Sequence, residues 1–354
     1  MRLLNNELYR NDVSSAASCN IDWSKLKDSS IVISGATGLI GSFLIDVIMC
    51  RNSKNDLNCR IIALGRNKSK AAERFAEYME HPLFRFVECD ICSIDDIDID
   101  GDLDYFFHAA SNTHPVAYAT DPIGTITVNV IGLKNMLEIA RKHNSKRFLF
   151  ASSNEIYGEN RGDTDKFKED YCGYINCNTL RAGYPESKRV SEALCQAYIK
   201  QYDMDIVIPR LTRSFGATLL SSDTKALSQF LKKGVNGEDI ILKSAGSQLY
   251  SFTYVADAVT GVLFCLANGN KGEAYNIATS SCDITLRELA QTIADYVGTK
   301  VIFEIPDSTE AAGYSVVTKA LLDGSKIEAL GWKSDYDINK GIAHTIDILK
   351  MMED

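Results

Sequence analysis

The chain has 354 residues, 45% of them apolar and 24% charged, with a formal net charge of −9. That is an ordinary globular composition, long enough for one large core or two fused domains. The acidic balance argues against a nucleic-acid partner, since the densest basic stretch, Lys68 to Arg74, reads as a solvated helix face.

In chain order, residues 1–28 are polar with scattered apolar positions and read as a lead-in with one helix over Leu4–Tyr9. Residues 31–50, IVISGATGLIGSFLIDVIMC, raise the question of a membrane. Asp46, three glycines and several hydroxyls interrupt them, and thirty polar residues precede them, so neither a span nor a signal peptide is expected. From Ile31 short apolar runs recur: IVIS (31–34), RIIAL (60–64), FRFVEC (84–89), YFFHA (105–109), RFLFAS (147–152) and DIVIPR (205–210). Helical spacing fills Asn129–His143 and Pro185–Tyr202 between them. Buried strands separated by helices predict an α/β fold with a doubly wound, Rossmann-type parallel sheet over 29–215.

Beyond 215 the rhythm loosens. Helices are expected near Lys225–Lys233, Val255–Ala267, Leu286–Tyr296, Ser325–Leu330 and Ile338–Met351, and strands at DIILK, YSFTY, AYNIA and KVIFEI. Residues 216–354 are read mainly as a smaller α/β part that binds substrate and forms the far wall of a cleft. The ten cysteines are irregularly spaced; Cys89 and Cys92 form the one CxxC, without the second pair a zinc site needs. No metal is expected, and unpaired cysteines point to a reducing cytoplasm.

SGATGLIG follows a strand and opens a helix. Gly35 allows the tight turn, Gly38 lets the backbone approach a pyrophosphate, and Gly41 lets the helix sit close to the sheet. Free N–H groups at the helix start bind phosphate, so Thr37, Leu39 and Ile40 join the expected cofactor site. The second strand ends at Gly65, Arg66 and Asn67 without the acid that meets an NAD ribose, which tilts the reading from NAD towards NADP. Asp90 and Ile91 end the third strand, and Ala109, Ala110 and Ser111 the fourth; all are assigned to the cofactor. Asp90 is placed to accept from the adenine amine or to cap its own loop.

YPESK puts Tyr184 and Lys188 on one helix face. A phenol near pKa 10 is a poor base at neutral pH unless a nearby cation stabilises the phenolate. Ser153, 31 residues upstream at a strand end, is positioned to orient a substrate hydroxyl. With the glycine motif, these three residues form a candidate catalytic centre, Lys188 also holding the nicotinamide ribose.

Here the chain resembles the extended short-chain dehydrogenases/reductases, the NAD-dependent epimerase/dehydratase family acting on nucleotide sugars. GATGLIG, HAAS (108–111), VNVIGLKNML (128–137), SSNEIYG, YPESKRVSE, FTYVADAV (252–259), AYNIA and LGW (330–332) fall in the family's order, from about Ser29 to Met351. The nearest groups are the UDP-glucuronate decarboxylases and sugar 4,6-dehydratases. The resemblance implies that Tyr184 is the base for a C4 hydroxyl, with Lys188 its partner and Ser153 the hydroxyl-binding residue. It implies that Asn129 supports the helix of Tyr184, and that Glu155 lies near C5 of the sugar, as a base or in a structural salt bridge.

Departures from the pattern are equally specific. Asn154 stands where some dehydratases carry an acid. Tyr250 stands where an arginine meets the substrate diphosphate and, in some decarboxylases, assists catalysis, and Tyr314 where a second arginine is expected. Arg213 replaces an asparagine, and Arg181 is a further candidate cation. With Asn154, Tyr250 and Tyr314 they make the expected substrate site, a rearranged anion clamp.

The reading is an NAD(P)-dependent nucleotide-sugar enzyme with a 4-keto intermediate, of dehydratase or decarboxylase type. A 4-epimerase, an NADPH ketoreductase and a non-catalytic nucleotide-binding protein are the alternatives. The implied partners are a nucleotide-sugar substrate and a second copy of the chain, with no nucleic acid and no membrane. The expected homodimer pairs Val190, Leu194, Ala197 and Tyr198 with Leu133, Met136, Leu137 and Ala140.

Overall fold

The computed structural model describes residues 2–55, 57–96, 101–113, 115–220, 222–304 and 318–353. Tyr314 lies outside them. The lead-in departs from expectation. Instead of a short helix over Leu4–Tyr9, helix α1 spans Glu7–Ala17, capped by the Asn6 side chain, which accepts from the Tyr9 N–H at 3.0 Å. Its buried face of Tyr9, Val13, Ala16 and Ala17 has helical spacing. Asp12, also buried, accepts from Tyr254 Oη, Tyr336 Oη at 2.7 Å and His344 Nδ1 at 2.8 Å, tying α1 to the C-terminal part.

Strand β1 (Ser30–Ser34) leads into helix α2 (Leu39–Asn55). The apolar run of 31–50 is thus a strand, a turn and a helix, and Phe43, Leu44, Ile45, Val47 and Ile48 are wholly buried. No described helix is long and apolar enough to cross a membrane. Then follow β2 (Arg60–Gly65), α3 (Lys68–Arg74), β3 (Phe84–Glu88) and β4 (Tyr105–His108). The basic run is α3, but its last residue is not solvated: Arg74 turns inward to the buried Asp46, which also accepts from Tyr9 Oη. A buried carboxylate inside α2 requires such partners.

Next come α4 (Pro115–Thr120), α5 (Pro122–Thr127), a π-helical turn (Val128–Gly132), α6 (Leu133–Lys142), β5 (Arg147–Phe150), β6 (Ser152–Ser153), α7 (Gly183–Tyr202), β7 (Ile206–Leu211) and β8 (Arg213–Phe215). Beyond them lie α8 (Ala226–Val235), β9 (Ile240–Leu242), β10 (Leu249–Tyr254), α9 (Val255–Asn268), β11 (Ala274–Ile277), β12 (Asp283–Thr285), α10 (Leu286–Val297), β13 (Val301–Phe303), β14 (Lys319–Ala320), α11 (Ser325–Glu328) and α12 (Ile338–Glu353).

The main sheet runs β11-β7-β5-β4-β1-β2-β3, parallel throughout, with β6 also paired to β7. Strand order reverses between β1 and β4, so the crevice for a ligand opens at their carboxyl ends. The late strand β11 returns to this sheet beside β7 rather than staying with the second part. That part is built on β12-β10-β14, with β8 pairing β10, and on the pair β13-β9.

Candidate active site

The turn after β1 is shaped by absent side chains. Gly35 has φ +72°, and a Cβ on it would lie 2.8 Å from the Ala109 carbonyl and the Ala110 nitrogen. A Cβ on Gly41 would lie 2.5 Å from the Gly35 carbonyl oxygen. Only glycines permit this approach of α2 to the sheet, which brings the start of the helix over the crevice. Below the crevice Ser34 Oγ and His108 Nδ1 are 2.8 Å apart. Burial, with Lys188 adding to it, brings the His108 imidazole down to about 3, and its Nε2 has no partner among the described residues.

A cavity of about 1030 Å³ opens there. Gly35, Thr37, Gly38, Leu39, Ile40, Gly41, Arg66, Asp90, Ile91, Ala109, Ala110 and Ser111 line one part of it. Its wall also includes Ser153, Asn154, Glu155, Arg181, Tyr184, Lys188, Arg213 and Tyr250. The expected cofactor and substrate residues thus share one cavity, with two exceptions. Asn67 caps α3 instead, accepting from the Lys70 N–H at 2.8 Å, and Tyr314 lies outside the described residues. Asp90 lines the cavity while its Oδ1 accepts from the Cys92 N–H at 2.9 Å, the loop-capping arrangement. Burial raises the thiols of Cys89 and Cys92, and the described residues contain no metal-holding group of His, Cys, Asp or Glu. The glycine cradle and the cation Arg66 suit a dinucleotide: a phosphate needs the first, and an adenosine 2′-phosphate is favoured by the second.

The Ser153, Tyr184 and Lys188 side chains are brought together from β6 and α7. Tyr184 is buried, and burial above all, then Glu155, raises its phenol, while a hydrogen bond with Ser153 and the charge of Arg181 act in the other direction. Lys188 Nζ donates to the Ala151 carbonyl at 2.8 Å and lies over the Phe150 ring. Burial brings this ammonium down to about 7, opposed by Glu192. Asn129, in the π-helical turn, donates to Thr125 O at 3.0 Å and to Ser187 Oγ at 2.9 Å. Ser187 in turn donates to the Tyr184 carbonyl at 2.8 Å, and Ser191 Oγ to the Asn129 carbonyl. The turn therefore pins α7 at the residue next to Lys188.

Glu155 does not stand free. Arg181 Nη2 donates to both of its carboxylate oxygens, at 2.7 and 2.6 Å. The Arg181 guanidinium lies 4.9 Å from the ring centroid of Tyr118, which is stacked on Tyr184 at 5.0 Å. Arg213 lies 3.6 Å from the ring centroid of Tyr250. Sequence reasoning missed Tyr118, which no motif marks. It also missed Glu192, which its spacing does mark: it lies four residues after Lys188, one turn along the helix. Glu192 accepts from Ser152 Oγ at 2.5 Å and from Arg210 Nε and Nη2 at 3.0 and 2.7 Å, fastening β6 to α7 and β7.

A doubly wound parallel sheet with a glycine turn at its switch point, and a Ser–Tyr–Lys centre opening into the same cavity, defines an enzyme of the extended short-chain dehydrogenase/reductase class. Residues 31–278 match the profile of the NAD dependent epimerase/dehydratase family, and the chain belongs to that family. It is 30% identical over 312 residues to UDP-glucuronic acid decarboxylase 3 of Arabidopsis thaliana, covering 88% of this chain and 86% of that protein. UDP-glucuronic acid decarboxylase 1 of Danio rerio is 30% identical over 321 residues, covering 89% and 71%. Among solved structures the fold is similar to a dTDP-glucose 4,6-dehydratase of Bacillus anthracis in complex with NAD (TM-score 0.76, 19% identity, 92% of this chain and 97% of that one). It is equally similar to a UDP-glucuronic acid 4-epimerase of Bacillus cereus in complex with UDP-glucuronic acid and NAD (TM-score 0.76, 20% identity, 91% and 99%).

Proposed function

We propose that this protein is a nucleotide-hexuronate decarboxylase that works through a 4-keto sugar and regenerates its own NAD. The observation that carries the choice within the family is the Arg181–Glu155 pair. A 4,6-dehydratase needs a free base for the C5 proton, whereas loss of CO₂ from a β-keto acid needs none. Glu155, the carboxylate assigned to C5, is held by a cation on both oxygens.

The glycine turn, Ala109, Ala110 and Ser111, which line the cavity, would hold the dinucleotide, with Arg66 serving its adenosine ribose and Lys188 its nicotinamide ribose. When bound, the nicotinamide supplies the acceptor and later the donor of the C4 hydride. Ser153 holds the C4 hydroxyl and Tyr184 removes its proton. The C4 ketone then draws the electrons of the C5–C6 bond as CO₂ leaves. A solvent proton replaces CO₂ at C5, and Tyr184 returns its proton to the C4 oxygen as the alcohol re-forms. Lys188 favours the Tyr184 phenolate by its charge. In this reading residues 29–215 carry the cofactor and the Ser–Tyr–Lys centre, and 216–354 mainly the substrate.

The protein acts as a cytoplasmic homodimer. The patch that supports assembly differs from the expected one. Leu133, Met136, Leu137, Ala140 and Tyr198 are buried within the monomer core, because α6 and α7 spend these residues on the sheet. Val190 and Ala197 remain exposed and Leu194 half-buried, together with the exposed Ile123 (76%), Ile126, Ile131 and Leu180. Apolar residues left in water along neighbouring segments fit an isologous contact.

The deciding experiment supplies UDP-glucuronic acid and, separately, UDP-glucose and dTDP-glucose to the NAD-loaded enzyme, and identifies products by mass spectrometry. Carbon dioxide and a UDP-pentose in equal amounts are expected. A 4-keto-6-deoxy product, or a hexuronate inverted at C4, replaces this reading. Tyr184→Phe should lower turnover about 10²- to 10⁴-fold, as for loss of an acid–base group.

A further inference from the structure

We propose that Arg213 reads a carboxylate on the sugar and is the residue that makes this site select a nucleotide hexuronate over a nucleotide hexose. The inference rests on the reading of Tyr184 as the base at C4, since it places the bound sugar beside that phenol.

Arg213 opens β8, whose neighbour in the sheet is β10, with Phe252 its partner in register. Its guanidinium lies against the face of Tyr250, from the adjoining strand, and lines the cavity. Its Nη1 is shut off from solvent and has no hydrogen-bond partner among the described residues. An N–H left in that state is unfavourable, the more so on a cation. A flat aromatic face balances part of the charge but accepts no hydrogen bond in the guanidinium plane. Burial weakens the hold of Arg213 on its proton, with Glu155 opposing that effect and Arg181 reinforcing it. Glu155 is already taken by Arg181. The rest of this half-buried side chain lines the cavity, and no ion pair among the described residues neutralises it, so a ligand oxyanion can meet it there.

Two oxyanions are available on a nucleotide hexuronate, the diphosphate and the sugar carboxylate. The groups whose fields act on Arg213 are Tyr250 first, then Glu155, Arg181 and Tyr118. Tyr118 is stacked on Tyr184, and Arg181 covers Tyr118 while holding Glu155, so the last three lie at the Tyr184 end of the cavity, the end assigned to the chemistry. The cavity wall also holds the cations Lys225, paired with Asp223 at 3.4 Å, and Lys243. The carboxylate is thus the better match.

The test measures binding by calorimetry to NAD-loaded Tyr184→Phe enzyme, so that turnover does not interfere. UDP, UDP-glucose and UDP-glucuronic acid are compared with and without Arg213→Gln, with Arg213→Lys as the charge-retaining variant. Arg213→Gln should weaken UDP-glucuronic acid about 10- to 100-fold, the range of one charge-assisted contact, and leave UDP and UDP-glucose within about twofold. Arg213→Lys should recover part of the loss. An equal loss for all three ligands would assign Arg213 to the diphosphate and overturn the proposal, as would no loss for any. Should Arg213→Gln fail to fold, the comparison of Arg213→Lys with the parent decides. It must weaken UDP-glucuronic acid alone, because a compact ammonium does not reproduce the planar fork. If instead the wild-type enzyme binds UDP-glucuronic acid selectively but oxidises no nucleotide sugar at C4, the functional reading fails while Arg213 keeps its role.

Discussion

Arg181 donates through one nitrogen to both carboxylate oxygens of Glu155, and the same guanidinium covers the ring that is stacked on Tyr184. A carboxylate near a phenol opposes its ionisation, and a guanidinium favours it. The pair thus acts on the Tyr184 phenol with opposite signs, and neither member can be altered without changing the field there.

Removing the charge of Glu155 therefore makes the phenolate easier to form. Glu155→Gln should move the Tyr184 limb of the kcat/KM profile to lower pH, by about half to one pH unit for a partly solvated charge. Arg181→Ala should move the same limb to higher pH. Profiles that shift together, or not at all, would show that the pair does not act on the phenol.

The reading of Arg66, exposed at the end of β2 and lining the cavity, as a partner for an adenosine 2′-phosphate can be tested by substitution. Arg66→Ala should weaken NADP about 10-fold or more and NAD by less than about twofold, as expected for loss of one charged contact to a phosphate. Fluorescence titration of the two dinucleotides reads this directly. Equal losses would mean that the side chain contacts the adenine rather than the 2′ substituent.

His108 links the crevice to acid stability. Its imidazole is held down to about 3, against 6.5 in the unfolded chain. Below pH 6.5 the unfolded chain takes up a proton that the folded chain refuses, so stability falls as the pH drops from 6.5 towards 3. The loss is of the order of 4 kcal/mol across the whole window. His108→Asn keeps a polar partner for Ser34 and cannot titrate. Denaturant unfolding at pH 6.5 and 4.5 should show a smaller loss for the variant than for the wild type. The same loss in both would mean that acid acts elsewhere.

The exposed isoleucines give the test of assembly. Ile123→Lys changes a side chain that is 76% exposed, so it should not lower the stability of the monomer. In the dimer it would bury an unpaired ammonium, which is costly. Light scattering at micromolar concentration should report a dimer for the wild type and a monomer for the variant. A wild-type monomer would remove the proposed contact.

The sequence by itself determined the strands at the centre of the main sheet, the glycine turn and the Tyr184–Lys188 face, because each is a local pattern. Buried strands need continuous apolar runs, a tight turn needs glycine, and four residues make one helical turn. Ser153 was legible for the same reason, standing at the end of such a run. Contacts distant in sequence left no such trace. Nothing in the lead-in announced that Asp12 would meet Tyr336 and His344, more than three hundred residues away, or that Arg74 would turn in to Asp46. The apolar face of α6 looked too broad for a monomer until the core took it up, while on α7 only Tyr198 of the expected patch was buried and Val190 and Ala197 stayed exposed. Glu155 was read as a base or a salt-bridge member, and only the packing of the segment before α7 put Arg181 on it. Tertiary structure decided these points because the partner of a charged or aromatic side chain is chosen by which surfaces the fold brings together, and no periodicity in the chain encodes that choice.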